Sequence, residues 1–144
     1  VGDPSPERCG TELLGAWLQQ GLTPVFAPLT HDGQGHLLNT NADTIASVLA
    51  RALTGRYRVR LLFCFEKKGI LENPDDDHSV MPVLNREQYR RLQAETAVSG
   101  GILPKLDNAF AAAAAGVEMV VIGSAADLIA NFTANSVCGT LIQV

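Results

Sequence analysis

The sequence predicts an α/β domain in which helices cover a mostly parallel sheet. Stretches with apolar residues at helical spacing alternate with short apolar runs of strand length, which is the order of elements typical of this class. One of these runs, Arg58–Phe65, is continuously rather than alternately apolar, as expected for a strand that is covered on both faces. The chain has 144 residues, 47% of them hydrophobic, so we expect a single domain over residues 1–144 with a core of ordinary size.

The first part of the chain is predicted to hold two helices and two strands. Glu7–Gln20 and Asp43–Leu53 carry apolar residues every three or four positions, which is the helical period, and a glycine follows the first of them. Pro24–Leu29 and Arg58–Phe65 are apolar runs of strand length. After the first of these runs, Thr30–His36 contains an Asp-Gly pair that is typical of a turn.

Glu66–Val83 interrupts the alternation, because glycine, asparagine, proline and three successive aspartates mark an excursion from the core. Within this excursion, Gly69–Leu71 and Ser79–Met81 can pair as a small hairpin. The aspartates, Asp75–Asp77, match no calcium-loop spacing, and we interpret them as a solvent-exposed turn rather than a weak cation site.

The remainder of the chain returns to alternating helices and strands. Arg86–Thr96 and Lys105–Ala115 are predicted helices, the second because of its alanine run, alanine being the residue of highest helix propensity. Val117–Ile122 and Thr140–Gln143 are predicted strands, and Ala125–Phe132 is predicted to form a short helix between them.

Charge and composition exclude several classes of function. The net charge of -4 offers no basic surface for a polyanion, so no nucleic-acid partner is expected. The longest apolar stretch, Phe110–Ile122, is too short to span a bilayer, so no membrane partner is expected either. The three cysteines are far apart in the sequence, which fits reduced thiols in a cytoplasmic protein. The sequence contains neither a Gly-x-x-x-x-Gly-Lys-Ser phosphate loop nor a Gly-x-Ser-x-Gly elbow, and His31, His36 and His78 have no partner at catalytic or metal-ligand spacing.

Asn39–Asp43 is the first of three polar segments placed where strands end and helices begin, the position at which α/β sheets gather ligands. Either Asn41 or Asp43 alone would suffice to cap the helix that follows. The segment is therefore either a helix cap with polar neighbours or a ligand-binding cluster, and the sequence leaves both interpretations open.

Ser99–Lys105 and Cys64–Gly69 are the other two segments. In Ser99–Lys105, paired glycines let a ligand approach the backbone, Pro104 suits a first helical turn, and free amides with a lysine at a helix start attract phosphate. In Cys64–Gly69, an acidic residue and a glycine after a buried strand could hold a ribose and let a nucleotide approach. A loop with a solvated lysine in the first case, and a solvated charged turn in the second, fit the residues equally well.

Taken together and in order, these segments resemble the amino-acid kinase family. The blocks that carry the resemblance are Pro24–Pro28, Leu37–Asp43, Lys68–Leu71, Gly100–Lys105 and Gly139–Ile142. The resemblance implies a three-layer α/β/α sandwich of the carbamate-kinase-like type. The blocks match only the second half of such proteins, so we expect the chain to be a C-terminal, nucleotide-binding lobe with the N-terminal lobe absent. The opening at Val1, without a start methionine, agrees with that expectation.

The resemblance also implies roles for individual residues. Lys105 would contact the transferring phosphoryl group, and Asp43 would hold the catalytic lysines in place. Asn39 would contact the acylated amino acid, and Asn41 would line the same junction. The residues implied around the nucleotide are Glu66, Lys68, Gly69, Leu71, Ala97, Val98, Ser99, Gly100, Gly101 and Ile102.

The implied activity is transfer of the terminal phosphoryl group of ATP, with Mg²⁺, to the side-chain carboxylate of N-acetyl-L-glutamate or another N-acyl-glutamate in arginine biosynthesis. That carboxylate is already ionised at neutral pH, which explains why no catalytic histidine is needed. The intact protein is expected to be a homo-oligomer, and the isolated chain to be inactive. The alternatives are a family member of the glutamate 5-kinase or aspartokinase type and a non-catalytic nucleotide-binding module of the same fold. Phe65 and Glu66 stand where most members carry a hydroxyl residue and an aspartate, which suggests a divergent branch.

Overall fold

The computed structural model describes residues 1–94, 102–133 and 137–144. The helices are α1 (Thr11–Gln19), α2 (Ala42–Leu53), α3 (Arg86–Ala94), α4 (Ile102–Ala114) and α5 (Leu128–Thr133). The strands are β1 (Leu29–His31), β2 (Leu37–Asn39), β3 (Arg60–Phe65), β4 (Val83–Asn85), β5 (Met119–Ser124) and β6 (Thr140–Gln143). Single turns of 3-10 helix precede α1 and α5, at Pro6–Arg8 and Ala125–Asp127.

The central sheet of the described residues has four strands in the order β3-β5-β6-β4. β3 pairs with β5 in parallel, and β4 pairs with β6 in parallel, whereas β5 and β6 are antiparallel. The prediction of an α/β domain with a mostly parallel sheet is confirmed. Between β5 and β6 the chain passes through the short α5, and β6 lies antiparallel beside β5.

The core lies where α4 packs against the sheet. One face of α4 is fully buried at Leu106, Ala109 and Ala112, and these residues contact a cluster that includes Leu84 of β4 and Ile122 of β5. The alanine run predicts this helix because alanine has the highest helix propensity. The small alanine side chains also let neighbouring elements approach the helix closely. The packing of α4 against the sheet therefore fixes the position of the N-terminal end of this helix.

Helices α2 and α4 lie side by side and run in the same direction. The hydroxyl of Ser47 donates to the carbonyl of Asn108 (2.9 Å), and the side-chain amide of Asn108 donates to Thr44 Oγ1 (3.3 Å). Asp43, before these residues in α2, meets Lys105, before Asn108 in α4. Since the contacts advance together along both helices, the two N-terminal ends lie at the same end of the molecule.

The predicted strand Pro24–Leu29 is wrong except at its last residue. Residues 22–28 form no strand, and Val25 is 92% exposed. Only Leu29 is extended, in a two-stranded hairpin of β1 and β2 closed by the predicted turn. A strand needs a continuous ladder of backbone hydrogen bonds to a neighbour, and the described residues form no such ladder with this segment. The carbonyl of Pro28 accepts from the amide of Thr40 at 3.0 Å, next to the hairpin, and the two prolines of the segment lack amide donors.

The other elements match the predictions more closely. The strand Thr140–Gln143 has the predicted bounds, and α2 begins one residue earlier than predicted. The excursion contains the expected hairpin contact, an antiparallel bridge between Leu71 and Val80. The strands β2 and β4 were not predicted, because runs of three residues are too short to show a period.

Helix boundaries differ in both directions. The predicted first helix, Glu7–Gln20, is shorter in the structure, where α1 begins at Thr11 after the 3-10 turn. The helix predicted from Lys105 begins instead at Ile102, so Pro104 lies within the first turn, where its missing amide costs no hydrogen bond. The predicted end of α3 at Thr96 lies outside the described residues. Among the described helices, none combines the length and the apolar character that crossing a membrane would require.

Candidate functional site

The side chains of Asp43 and Lys105 meet at the shared end of α2 and α4. Asp43 is the second residue of α2, Lys105 is the fourth residue of α4, and the ammonium donates to Asp43 Oδ1 at 2.7 Å. The Lys105 side chain is 14% exposed and that of Asp43 is 26% exposed. The pair is therefore shielded from most water but still accessible to a ligand.

Two helix N-termini converge at this pair. The first four amides of each helix lack intrahelical acceptors, and aligned peptide dipoles make the N-terminal end positive. This end therefore favours an anion, which Asp43 supplies in part. A cation is disfavoured there, so Lys105 needs compensating contacts.

Phe63 makes a second contact with the ammonium of Lys105. Phe63 lies in β3 and is 4% exposed, and the centroid of its ring is 5.3 Å from Lys105 Nζ. This distance is within the range of cation–π attraction. The carboxylate on α2 and the aromatic ring on β3 thus both hold the ammonium, which comes from the distant α4.

The sequence left open whether Asn41 or Asp43 caps α2, and in the structure the cap is Asn41. Its side-chain oxygen accepts from the amides of Asp43 (2.8 Å) and Thr44 (3.3 Å). Asn39 closes β2, where its carbonyl accepts from the amide of Gly2 at 2.9 Å. Both asparagine side chains are exposed and flank the buried Thr40. The segment therefore exposes two side-chain amides to solvent next to Asp43. The side-chain oxygen of Asn41 also serves as the helix cap.

The residues implied around the nucleotide do not share one environment. Glu66 and Lys68 are exposed just beyond the carboxyl end of β3, and Leu71 is half-buried. Ile102 is buried in the core cluster, so its side chain packs inside and only its backbone stands at the start of α4. The predicted residues Ala97, Val98, Ser99, Gly100 and Gly101 lie outside the described residues.

Gly69 is buried and has a packing reason to be glycine. A Cβ atom there would stand 2.7 Å from Thr140 Oγ1 and 2.8 Å from Val80 Cγ1. The glycine therefore lets the excursion cross β6 closely.

The sequence reasoning missed Thr140 as the centre of that crossing. Thr140 is fully buried, and its hydroxyl accepts from the amide of Ile70 (2.8 Å) and donates to the carbonyl of Met81 (2.7 Å). It thus fastens both sides of the excursion to β6. The preceding Gly139, with φ +126° and a would-be Cβ 2.5 Å from the carbonyl of Ile122, was the available sequence signal.

The turn of three aspartates is solvent-exposed, as predicted. Asp77 pairs with Lys67 at 2.7 Å, and this hydrogen bond lowers the pKa of the Asp77 carboxyl and raises that of the Lys67 ammonium. Within the described ranges, no three His, Cys, Asp or Glu side chains are grouped so as to hold a metal ion.

One cavity lies beside α2 but is not lined by the predicted site residues. It has a volume of about 490 Å³ and extends between the N-terminal residues, the 26–32 segment and the Ile45, Val48 and Leu49 side of α2. None of its lining residues was predicted to be functional. It borders the segment that forms no strand.

Comparison with known proteins finds relatives that match most of the chain. The sequence profile of the Amino acid kinase family matches residues 5–124. An acetylglutamate kinase of Phocaeicola vulgatus is 46% identical over 143 residues, which are 99% of this chain and 52% of that protein. An acetylglutamate kinase of Bacteroides fragilis is 52% identical over 122 residues, which are 85% of this chain and 46% of that protein. The chain thus spans about half the length of these curated relatives.

A crystal structure of N-acetylglutamate synthase from Neisseria gonorrhoeae has the same fold. It superimposes with a TM-score of 0.76 at 23% identity and covers 92% of this chain and 30% of that one. This likeness supports the architecture, and the profile match extends over the helices that hold Asp43 and Lys105. The sequence blocks, the sheet order and these matches together show that the chain belongs to the amino acid kinase family.

Proposed function

We propose that this chain supplies the nucleotide-binding part of an ATP-dependent kinase that phosphorylates the side-chain carboxylate of an N-acyl-glutamate, N-acetyl-L-glutamate foremost, in arginine biosynthesis. The observation that carries the proposal is the pairing of Asp43 with Lys105 at the shared positive end of α2 and α4. The relatives named acetylglutamate kinase support the choice of acceptor.

In this reaction the chief obstacle is the approach of two anions. The acceptor carboxylate is ionised at neutral pH and needs no general base. Catalysis then consists of positioning and of neutralising the charge on the phosphoryl oxygens. Lys105 supplies a positive charge for those oxygens, and Asp43 fixes its ammonium in place before the nucleotide arrives.

The described residues fit ATP better than a separate metal cage. Two converging helix N-termini and a lysine suit a triphosphate. Mg²⁺ is usually held by substrate phosphates, water and one or two carboxylates. Bound in that way with ATP, it would neutralise phosphate charge, and the partly exposed Asp43 is the carboxylate at this end of the helices.

Asn39 and Asn41 are proposed to face the acyl-glutamate, since their amides stand exposed beside Asp43. The proposed nucleotide contacts are Glu66, Lys68, Gly69, Leu71, Ile102 and residues 97–101. Cys9, Cys64 and Cys138 are free thiols, which supports a reducing, cytoplasmic setting. The partners are proposed to be these small molecules and, in the intact enzyme, further copies of the same subunit.

A chimera tests the function. This chain is joined behind the N-terminal half of the Bacteroides fragilis relative, and acyl phosphate formed from ATP and N-acetylglutamate is trapped with hydroxylamine. We expect turnover in the chimera. Lys105→Ala is expected to lower kcat by at least 10²–10³-fold, because one preorganised charge is lost, while calorimetric titration still detects Mg-ATP binding.

Each result separates the alternatives. Near-normal kcat in Lys105→Ala would refute the role of Lys105. A folded chimera that binds Mg-ATP but forms no acyl phosphate would favour the non-catalytic nucleotide-binding module. Activity with free glutamate or aspartate in place of the N-acyl substrate would favour the other kinase types.

A further inference from the structure

We propose that Phe63 is a positioning residue, whose ring face holds the ammonium of Lys105 where it meets the transferring phosphoryl group. The inference rests on the proposed function, which assigns a role to Lys105 but none to Phe63. Nothing in the sequence blocks singled out Phe63, because it stands within a continuously apolar strand.

The geometry gives Lys105 two fixed neighbours. Asp43 Oδ1 is 2.7 Å from Nζ, and the Phe63 ring centroid is 5.3 Å from the same atom. Asp43 reaches the ammonium from α2 and Phe63 reaches it from β3, while the lysine itself comes from α4. A long lysine side chain is otherwise free to rotate, so three elements together limit where its charge can lie.

The electrostatics explain why a single partner is insufficient. Lys105 is in the first turn of α4 and adjoins the first turn of α2, and both helix ends are positive. Asp43 must also be able to relax when a triphosphate competes for the ammonium. The ring has no net charge, so it can hold Lys105 while repelling phosphate much less than a second carboxylate would.

Phe63 also belongs to the core cluster, so any role must be separated from packing. Replacing it with leucine would change shape as well as charge distribution. Fluorinated phenylalanines keep the shape and withdraw electron density from the ring face stepwise. In the chimera, we therefore place phenylalanine with zero, one, two or three ring fluorines at position 63.

We expect log kcat to fall steadily with the number of fluorines, to a total loss of about 3- to 30-fold, the range that cation–π attraction supplies. KM for ATP and for N-acetylglutamate should stay within about twofold, because the ring is buried and its proposed role is exerted through Lys105. The same series at Phe110 is the control. That buried ring stacks on Tyr89 at 5.0 Å and faces Arg86 rather than Lys105, so kcat should not follow its fluorine number.

A second measurement reads the contact without activity. In NMR spectra of this chain, ring current should shift the Lys105 side-chain protons upfield, and Phe63→Leu should abolish the shift while Phe110→Leu preserves it. Absence of the shift in the unmodified chain would overturn the contact. A flat fluorine series in a chimera that is active and that Lys105→Ala inactivates would overturn the positioning role alone. An unmodified chimera without turnover would count against the proposed function instead, and so against any positioning role within it.

Discussion

Asp43 and Lys105 are separated by 62 positions in the sequence, yet the ammonium of Lys105 donates to the carboxylate of Asp43 at 2.7 Å. Their meeting depends on the parallel packing of α2 and α4, which the Ser47–Asn108 hydrogen bond fixes one turn further along. The pair therefore couples the packing of two helices to the placement of one charge.

This coupling should be measurable as stability. We expect Asp43→Asn and Lys105→Met each to lower the free energy of unfolding by about 1–3 kcal/mol, because each leaves a partly buried partner without its charge-assisted bond. In urea denaturation of the two single variants and the double variant, the cycle should give a coupling above about 1 kcal/mol. The Glu87–Arg91 pair, with both side chains about 70% exposed, is the matched control and should couple by less than about 0.5 kcal/mol. Equal couplings in the two cycles would contradict the shielding of the first pair.

Substitution of Asn41 separates the helix cap from the proposed substrate contact. Asn41→Ala should lower the free energy of unfolding by about 1 kcal/mol, because the amides of Asp43 and Thr44 lose their acceptor. Asn41→Asp keeps an acceptor and adds a charge that the helix N-terminus favours, so stability should be unchanged or higher. In the chimera, however, the new carboxylate should raise KM for N-acetylglutamate about tenfold or more by repulsion. An unchanged KM in Asn41→Asp would leave Asn41 as a cap and nothing else.

Elements whose evidence is local could be predicted from the sequence. The helix α2 combines a clear apolar period with an asparagine cap, and β3 and β6 are apolar runs that pair within the central sheet, although β3 lies at its edge and Cys64 in it is exposed. Pro24–Leu29 has the same apolar character, but its prediction failed because a strand forms only where a neighbour accepts its hydrogen bonds. Apolar composition could not show whether that neighbour is present.

The candidate site likewise contains residues that local sequence evidence identifies and residues that it does not. Asp43 and Lys105 could be named from the sequence blocks that resemble the family, since each lies beside a recognisable helix start. The contacts of Phe63 with Lys105, and of Thr140 with the excursion, could not be predicted. Each joins residues that are far apart in the sequence, and an apolar or a hydroxyl side chain carries no local sign of its distant partner.

The hydroxyl of Thr140 should prove to anchor the Glu66–Val83 excursion to β6. Thr140→Val keeps the shape but removes the bonds to Ile70 and Met81, so the free energy of unfolding should fall by about 2–4 kcal/mol. Thr140→Ser keeps the hydroxyl and loses one methyl group, at a cost of about 1 kcal/mol. Hydrogen exchange at the amide of Ile70 should accelerate in the valine variant and stay slow in the serine variant. Equal exchange in both variants would show that packing alone, and not the hydroxyl, holds the excursion.

Tyr89 should make the fold sensitive to alkaline pH. Its hydroxyl donates to Asp107 Oδ1 at 2.8 Å, which ties α3 to α4, and accepts from Gln93 of α3 at 2.9 Å. Burial, and next the hydrogen bond to the Asp107 carboxylate, raise the pKa of Tyr89 from 10.0 to about 12. Because the pKa is higher in the folded state, this contribution to stability is complete below pH 10 and is lost as the pH rises towards 12. We expect the loss to be about 1–2 kcal/mol, somewhat below the full value of such a shift because solvent screens part of it.

Tyr89→Phe isolates that contribution from the other groups that titrate at high pH. Near pH 7 this variant should unfold about 1 kcal/mol more easily than the unmodified chain, because Asp107 loses its donor. Between pH 10 and 12 the difference should shrink and then reverse, since phenylalanine has no proton to release and no phenolate to bury. Tyr57→Phe, at a half-exposed tyrosine, is the control and should track the unmodified chain across the same range. A stability difference for Tyr89→Phe that stays constant from pH 7 to 12 would contradict this expectation, because the phenol of Tyr89 would then have the same pKa in the folded and the unfolded chain. The tie between α3 and α4 would in that case rest on the stacking of Tyr89 against Phe110.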